Sequence, residues 1–553
     1  MSRKAKNILF IMFDQLRWDY LSCSGHPHLH TPNIDALAAE GVRFTRAYVQ
    51  SPVCGSSRMS FYTGRYCHSH GATWNRIPLK VGEHTIGDHL RDAGMDCWLI
   101  GKTHMKADEE GMRRLGIPPD SIIGVRTEQC GFDVWERDDG MRPEGPEGLY
   151  DAHGAERYND WLRAKGYPGD NPWHDFANSA RDADGNVLSG WFLENARAAA
   201  EIKEEDSETP YMTSRAIEFI DQAGDTPWCA HLSYIKPHWP YIAPPPYNDM
   251  YSAEDVLPVN RSDGEWEDMH PVFRAFCEGR VGQSFSRDFV REEVIPAYMG
   301  LIKQCDDQMG RLFDHLKETG RWEDTMIVVT SDHGDYLGDH WMGEKDMFHD
   351  CSAKVPLIIR DPAPQCDATR GTTCDELVEA IDLAPTFLEV AGGAPRPHIL
   401  EGRSLMPFLR GEPPADWRTY AVCENDYGVS PGMAQLADQV ADPRQFMVAT
   451  KRWKYIHAQG FRPMLFDLQK DPDELVDLGQ DPAHEEIRAE MASHLSDWAR
   501  RLSQRTTMSP DDIIKERQRS PSHGILLGAW DETEAPPAQL QFYGSKKGPE
   551  QPG

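Results

Sequence analysis

Cys54 and Arg58 stand four residues apart in Pro52-Val53-Cys54-Gly55-Ser56-Ser57-Arg58, a nucleophile and a cation about one helical turn from each other. The run continues through Met59-Ser60-Phe61-Tyr62-Thr63 to Gly64, which reads as a helix stopped by glycine. A helix N-terminus attracts anions through its free amides and its dipole, so the pair predicts a nucleophile beside an anion clamp. A buried structural cysteine next to a surface arginine is the plainer alternative. Asp14-Gln15 and Asp332-His333 each end an apolar run. Two carboxylates, an amide oxygen and an imidazole can surround one divalent cation. Such a mixed hard set suits Mn²⁺, toward which the imidazole tilts it, or Ca²⁺. One aspartate alone would read as a turn cap; the two pairs together read as a metal site.

Basic residues gather at other run ends. Lys102 and His104 follow Cys97–Gly101, Lys236 and His238 follow Trp228–Tyr234, and Lys345 lies in the glycine-containing stretch Gly343-Glu344-Lys345. Lysines neutralise the oxygens of an anionic group in transfer, and a histidine can protonate a leaving oxygen. Any one of them alone reads as a solvated loop residue, and their placement at a common edge carries the expectation. His26, His28 and His30 read as a structural loop before a helix, not as a metal tract. Trp239-Pro240 through Pro246 reads as a stiff loop walling a pocket.

The elements that must position these groups are short apolar runs separated by helical segments. Strands are expected at Ile8–Phe13, Cys97–Gly101, Trp228–Tyr234, Thr325–Ser331 and Lys354–Ile359, the first buried and parallel. Helices are expected over Thr31–Gly41, with an N-cap threonine and a proline at N1, and over Pro296–Leu316. This alternation predicts an α/β sheet with helices on both faces and a site at the carboxyl ends of the strands. Residues 105–225 read as long insertions over the site. After Pro407 the texture changes to strands near 418–422, 445–450, 453–457 and 463–468 and a helix over Pro482–Leu502. The expected division is a catalytic domain over 1–410, a small α+β domain over 411–507, and a C-terminal arm or tail over 508–553.

The chain has 553 residues, more than one core normally serves. Lys+Arg total 58 against Asp+Glu 89, a net charge of −31, which argues against nucleic acid or an anionic membrane as partner. No segment reaches the roughly 20 apolar residues of a membrane span, and no signal sequence is evident. Twelve scattered cysteines without framework spacing predict a reduced, cytoplasmic protein.

Taken in order, Asp14-Gln15, the Gly25–Tyr48 stretch, Cys54-x-x-x-Arg58, Gly101-Lys102-x-His104, Lys236-Pro237-His238, Ser331-Asp332-His333-Gly334, Lys345 and Leu465-Phe466-Asp467-Leu468 resemble the sulfatase family of the alkaline phosphatase superfamily. The resemblance runs from about residue 5 to about residue 500. It implies a large alkaline-phosphatase-like mixed sheet flanked by helices. It implies that a formylglycine-generating enzyme oxidises Cys54 to formylglycine, whose hydrate is the nucleophile. It implies one divalent metal ion, Mn²⁺ or Ca²⁺, held by Asp14, Gln15, Asp332 and His333 with residue 54. Arg58 matches the group that orients the hydrate, His104 the base beside it, and Lys102, His238 and Lys345 the contacts to the transferred anion. His238 or Lys345 would assist the leaving oxygen, and Asn75 lies where related hydrolases bind substrate.

Two features divide the resemblance. The family's modification motif has proline, sometimes alanine, where this chain has Ser56. Gln15 and His333 look like the phosphonate monoester hydrolase branch, whereas Lys102 and His104 look like arylsulfatases. The leading expectation is hydrolysis of a small anionic ester, a sulfate monoester first, with phosphonate monoesters and phosphate diesters as further substrates. The alternative makes phosphonate monoester or phosphodiester hydrolysis the main activity, and a third reading is a non-catalytic anion-binding relative in which Cys54 stays a thiol. A homodimer or homotetramer is expected from the C-terminal arm around Ile525-Leu526-Leu527.

Overall fold

The computed structural model describes residues 5–142, 145–146, 157–501, 503, 505–523, 526 and 528–546. Ile525 and Leu527 of the expected arm lie outside the described residues. Residues Met1–Pro395 and Leu400–Arg501 form one compact unit. Arg396–Ile399 and Leu502–Gly553 form another, which carries helices Pro510–His523 and Pro537–Tyr543.

The first unit is built on an eight-stranded sheet. In chain order its strands are β1 (Asn7–Asp14), β2 (Val42–Tyr48), β3 (Asp96–Gly101), β4 (Asp133–Arg137), β5 (Trp228–Pro237), β6 (Thr325–Ser331), β7 (Lys354–Arg360) and β8 (Thr372–Glu379). They lie in the spatial order β8-β2-β7-β6-β1-β5-β3-β4. β7 pairs antiparallel with both neighbours, and every other pairing is parallel. The sheet is therefore mixed, with one reversed strand. β2, β4 and β8 were not expected from sequence: half-buried runs such as Asp-Val-Trp-Glu-Arg lack the continuous apolar signal of β1. The stretch 105–225 thus supplies the edge strand β4 as well as loops.

β1 is buried along its whole length because both faces of the sheet are covered. Leu9, Ile11 and Phe13 pack into one core with helix α4 (Asp288–Glu318) and helix α3 (Glu208–Gln222). Ile8, Phe10 and Met12 pack into the other with helix α2 (Cys54–Thr63), through Met59, Phe61 and Tyr62. Each such buried side chain contributes about 1.5–3 kcal/mol. Helix α4 begins two turns before Pro296; the carbonyl that this proline cannot bond belongs to solvent-exposed Glu292, so the helix tolerates it. Helix α1 (Pro32–Glu40) starts at its proline, but Thr31 does not cap it. The free amides of Asn33 and Ile34 donate instead to Asp306 of α4, at 3.1 and 2.8 Å.

Strands β9 (Ala421–Asp426), β10 (Arg444–Ala449), β11 (Trp453–Ala458) and β12 (Met464–Asp467) form a separate antiparallel sheet. Helix α5 (Glu485–Ala499) covers one face through Met491 and Trp498, against Val422, Val448, Tyr455 and Leu465. The other face, with Cys423, Met447, Ile456 and Phe466, packs on Met347 and Phe348 of the chain between β6 and β7. Among the described residues no helix is long and apolar enough to cross a membrane.

Candidate active site

Four adjacent parallel strands, β6-β1-β5-β3, end at one edge of the sheet. Their carboxyl ends deliver Asp332, Asp14, His238 and Lys102 there. β2 also ends at this edge and leads into α2, which begins at Cys54. Because β7 is reversed, the β6–β7 connection stays on the same side and brings Lys345.

Asp14, Cys54, Asp332 and His333 place ligand atoms within 4.8 Å of one another, all buried. His333 Nδ1 is hydrogen-bonded to the Gly334 carbonyl at 2.9 Å, so this nitrogen carries the proton and Nε2 turns inward as a free donor of its lone pair. Nε2 lies 3.0 Å from Cys54 Sγ. Two carboxylates, an imidazole nitrogen and the residue 54 side chain converging in a buried space fit a divalent cation. Gln15 adopts φ 66° directly after β1, and its amide oxygen accepts from Lys345 Nζ at 2.8 Å.

Arg58 bonds within the protein instead of standing open as an anion clamp. It is fully buried, and its Nε donates to Asp332 Oδ2 at 2.8 Å while Nη2 donates to Asp14 Oδ2 at 3.1 Å. Nη1 donates to the Lys102 carbonyl and to Ser233 Oγ, at 3.1 and 2.8 Å. Four of its five donors are therefore engaged within the protein. The guanidinium sits between two like charges that would otherwise repel and fixes their spacing. Burial pushes the Asp14 carboxyl up, but Lys102, His238 and Arg58 outweigh it and hold the group well below the usual carboxylate range. Lys102 Nζ is 2.6 Å from Asp14 Oδ2.

Lys345 Nζ reaches His238 Nε2 at 3.3 Å. His238 Nδ1 donates to the Trp239 carbonyl at 2.8 Å, which leaves Nε2 as the acceptor. Burial pushes His238 well below its ordinary value, so the imidazole is neutral. Burial also opposes the charge of Lys345, yet Cys54, Glu344, Asp14 and Asp332 outweigh that cost and hold its ammonium above the ordinary lysine range. His104, at φ 54°, is likewise driven neutral by burial, and its Nδ1 is buried without a hydrogen-bond partner. That nitrogen keeps an unsatisfied lone pair.

Other expected residues have different surroundings. Lys236 points away from this group, donating to Asn178 Oδ1 and the Pro240 carbonyl, both at 2.9 Å, and ties the 239–246 loop to its neighbour. Asn75 Oδ1 accepts from the Gly55 amide at 2.8 Å and so braces the first turn of α2 beside Cys54. A Cβ on Gly55 would stand 2.8 Å from that oxygen. Ser56 is buried, its hydroxyl donating to Ser51 Oγ at 2.7 Å. His26 Nδ1 accepts the Leu29 amide at 3.0 Å and serves its own loop.

Three residues escaped the sequence reading. Gln15 Nε2 donates to Asp335 and, at 3.0 Å, to Tyr241 Oη, while Tyr241 Oη donates to Asp335 Oδ2 at 2.9 Å. This pins the Gln15 amide with its oxygen toward Lys345. Burial and the neighbouring Glu344 push the Asp335 carboxyl up to about 6. An acidic residue two positions beyond the Asp332-His333 pair was the available signal; nothing local marks Tyr241 or Glu344.

Residues 6–394 match the sulfatase family model, and residues 338–501 match the model described as N-sulphoglucosamine sulphohydrolase, C-terminal. The multifunctional alkaline phosphatase superfamily protein PehA of Trinickia caryophylli is 31% identical over 530 residues, 91% of this chain and 96% of that protein. An arylsulfatase of Clostridium perfringens is 30% identical over 483 residues, 85% of this chain and 90% of that one. The crystal structure of a phosphonate monoester hydrolase of Agrobacterium radiobacter superposes with a TM-score of 0.76 at 30% identity, covering 89% of this chain and 95% of that one. With its mixed sheet, its small antiparallel domain and a buried cluster at the strand ends, the chain belongs to the sulfatase family of the alkaline phosphatase superfamily.

Proposed function

We propose that this hydrolase cleaves sulfate monoesters, with phosphonate monoesters and phosphate diesters as further substrates, and that its nucleophile is formylglycine made from Cys54. The observation that carries this reading is the convergence of Lys102 and Lys345 on the Asp14–Cys54–Asp332–His333 cluster. Sulfate monoesters, phosphonate monoesters and phosphate diesters each present one negative charge at the reacting group, and two buried ammonium groups stabilise the charge that develops in transfer. Asp14, Gln15, Asp332 and His333 would hold the metal ion, which when bound supplies Lewis-acid activation of an oxygen nucleophile.

The protein's own groups have separable tasks. Arg58 keeps the two carboxylates apart and aimed. Neutral His104 accepts a proton at Nδ1. Lys345, bonded to His238 Nε2, is the protonated member of that pair and assists the leaving oxygen by hydrogen bond and charge. Burial pushes the Cys54 thiol up to about 12, so as a thiol it would stay protonated and weakly nucleophilic at neutral pH. That favours a modified residue 54.

Mass analysis of the Cys54 peptide from the native host tests the modification. Conversion loses sulfur and two hydrogens and gains one oxygen; an unmodified peptide from active protein would overturn the proposal. Gln15, His333 and the likeness to a phosphonate monoester hydrolase structure favour a second reading with phosphonate as main substrate. Relative kcat/KM on aryl sulfate and aryl phosphonate separates the two, a dominant phosphonate rate reversing the order. All twelve cysteines are free, which supports a reduced, cytoplasmic setting. A homodimer or homotetramer belongs to the same proposal and is read by light scattering.

A further inference from the structure

Glu265, His340 and His349 form a second cluster, both histidines buried and Glu265 partly so, away from the strand-end group. His340 Nδ1 lies 2.6 Å from Glu265 Oε1. The rings of His340 and His349 are stacked, with centroids 3.6 Å apart and planes 5° from parallel. Glu265 Oε2 and His349 Nε2 are buried without hydrogen-bond partners. The three ligand atoms could suggest a metal site, but the stack argues against it. An ion ligated by one imidazole lies near that ring's plane and so stands a whole ring spacing from the plane of the other.

The two histidines bracket Lys345. The Tyr336 amide donates to the Glu344 carbonyl at 2.7 Å, and Tyr336 Oη bonds His349 Nδ1 at 2.9 Å. Leu337, His340, Trp341, Glu344 and Asp346 all have positive φ, a backbone that requires outside restraint. The stack closes this segment on itself, and Glu265 anchors it to the neighbouring helix Asp263–Glu267. We propose that Glu265, His340 and His349 form a clasp that positions Lys345 for the anion, an inference that rests on the Lys345 role given under Proposed function.

The charges agree with the geometry. Burial opposes the His340 charge, but Glu265, Glu474 and Asp339 outweigh it and raise its pKa. Burial, His340 and Lys454 hold His349 well below its usual value. Tyr336 bonds His349, and Cys277 Sγ faces the His340 carbonyl. One proton therefore serves the pair. A raised folded-state pKa means that the clasp is complete at low pH and is lost as pH rises through the His340 value.

The test uses the full-length, metal-loaded protein, with inorganic sulfate binding by calorimetry and kcat and KM on an aryl sulfate, each across pH. Wild-type sulfate affinity should fall as pH rises through the His340 titration. Glu265→Gln should weaken sulfate binding about fivefold at a pH just below the wild-type His340 titration, raise KM more than it lowers kcat, and recover at lower pH, where His340 protonates without its partner. His340→Gln should be weak at every pH. Glu265→Gln added to Lys345→Ala should weaken binding no further. A wild-type profile unchanged by Glu265→Gln, a loss equal at all pH values, or a second bound Zn²⁺ removed by His349→Gln would overturn the clasp. Sulfate binding requires no turnover: a binding profile that holds in a protein inert to sulfate and phosphonate esters would sink the functional reading and leave the clasp standing.

Discussion

The strand-end group and the Lys345 segment serve one pocket but are built differently. Asp14, Cys54, Asp332 and His333 sit at or just past the ends of regular elements, and they interlock through Arg58, one turn into its helix. Lys345 rides on an irregular connection with five non-glycine residues of positive φ, each costing about 1–2 kcal/mol. That segment holds its shape through side-chain pins: Tyr336 with His349, Trp341 Nε1 donating to the Ser262 carbonyl at 3.0 Å, and Arg261 over the Trp341 ring. Regular elements give a rigid floor, whereas the segment is a wall that substitution can loosen without unfolding the sheet.

Several substitutions break or sharpen this contrast. Cys54→Ala should lower turnover by about 10⁴-fold or more with the fold intact, because it removes the nucleophile and nothing of the core; substantial residual turnover with an unchanged melting curve would contradict the nucleophile assignment. Arg58→Met should act on the floor as a whole. Leaving the buried Asp332 charge without its guanidinium partner, and Asp14 with Lys102 alone as an ion-pair partner, costs about 3–5 kcal/mol, read as a fall in the denaturant midpoint of the metal-free protein. Lys345→Ala should leave that midpoint nearly unchanged and reduce kcat about 10²–10³-fold; an equally large stability loss would erase the distinction between wall and floor.

Asp335→Leu tests the joint between them. It frees the Gln15 amide to rotate, and metal affinity measured by competition with a chelator should drop about 10–100-fold. The smallest expected effect is acid sensitivity. Asp14 has a depressed folded-state pKa, so it adds stability above its unfolded value near 4, and that stability is lost as pH falls through the folded value. Lys102→Met removes one of the groups that hold it down and should raise the acid-unfolding midpoint of the metal-free protein by about one pH unit or less. No shift at all would mean that Arg58 and the neighbouring histidines carry the charge balance without Lys102.

Legibility from sequence followed the same division. The β1 run Ile8–Phe13 and the β6 run Thr325–Ser331 were visible because burial on both faces demands continuous apolar residues, and the polar pairs after them then fell at the site edge. Arg58 was visible as a cation, but its partners come from the ends of β1 and β6, and only folding turned an apparent clamp for substrate into a spacer for carboxylates. Lys236 and His238 are two residues apart and looked equivalent; the turn after β5 sends one to Asn178 and the other to Lys345. Tyr241, Asp335 and Glu344 lacked a local pattern because their meaning lies in one another.

The sequence by itself determined the mixed α/β class, the family and the residue types of the floor, since periodicity and short motifs are local properties of the chain. The tertiary structure alone decided which cations face the pocket, which way the Gln15 amide points and how the Lys345 segment is held. Those depend on contacts between residues far apart in sequence, such as Gln15 with Lys345 and Arg58 with Asp332, and no local spacing encodes them.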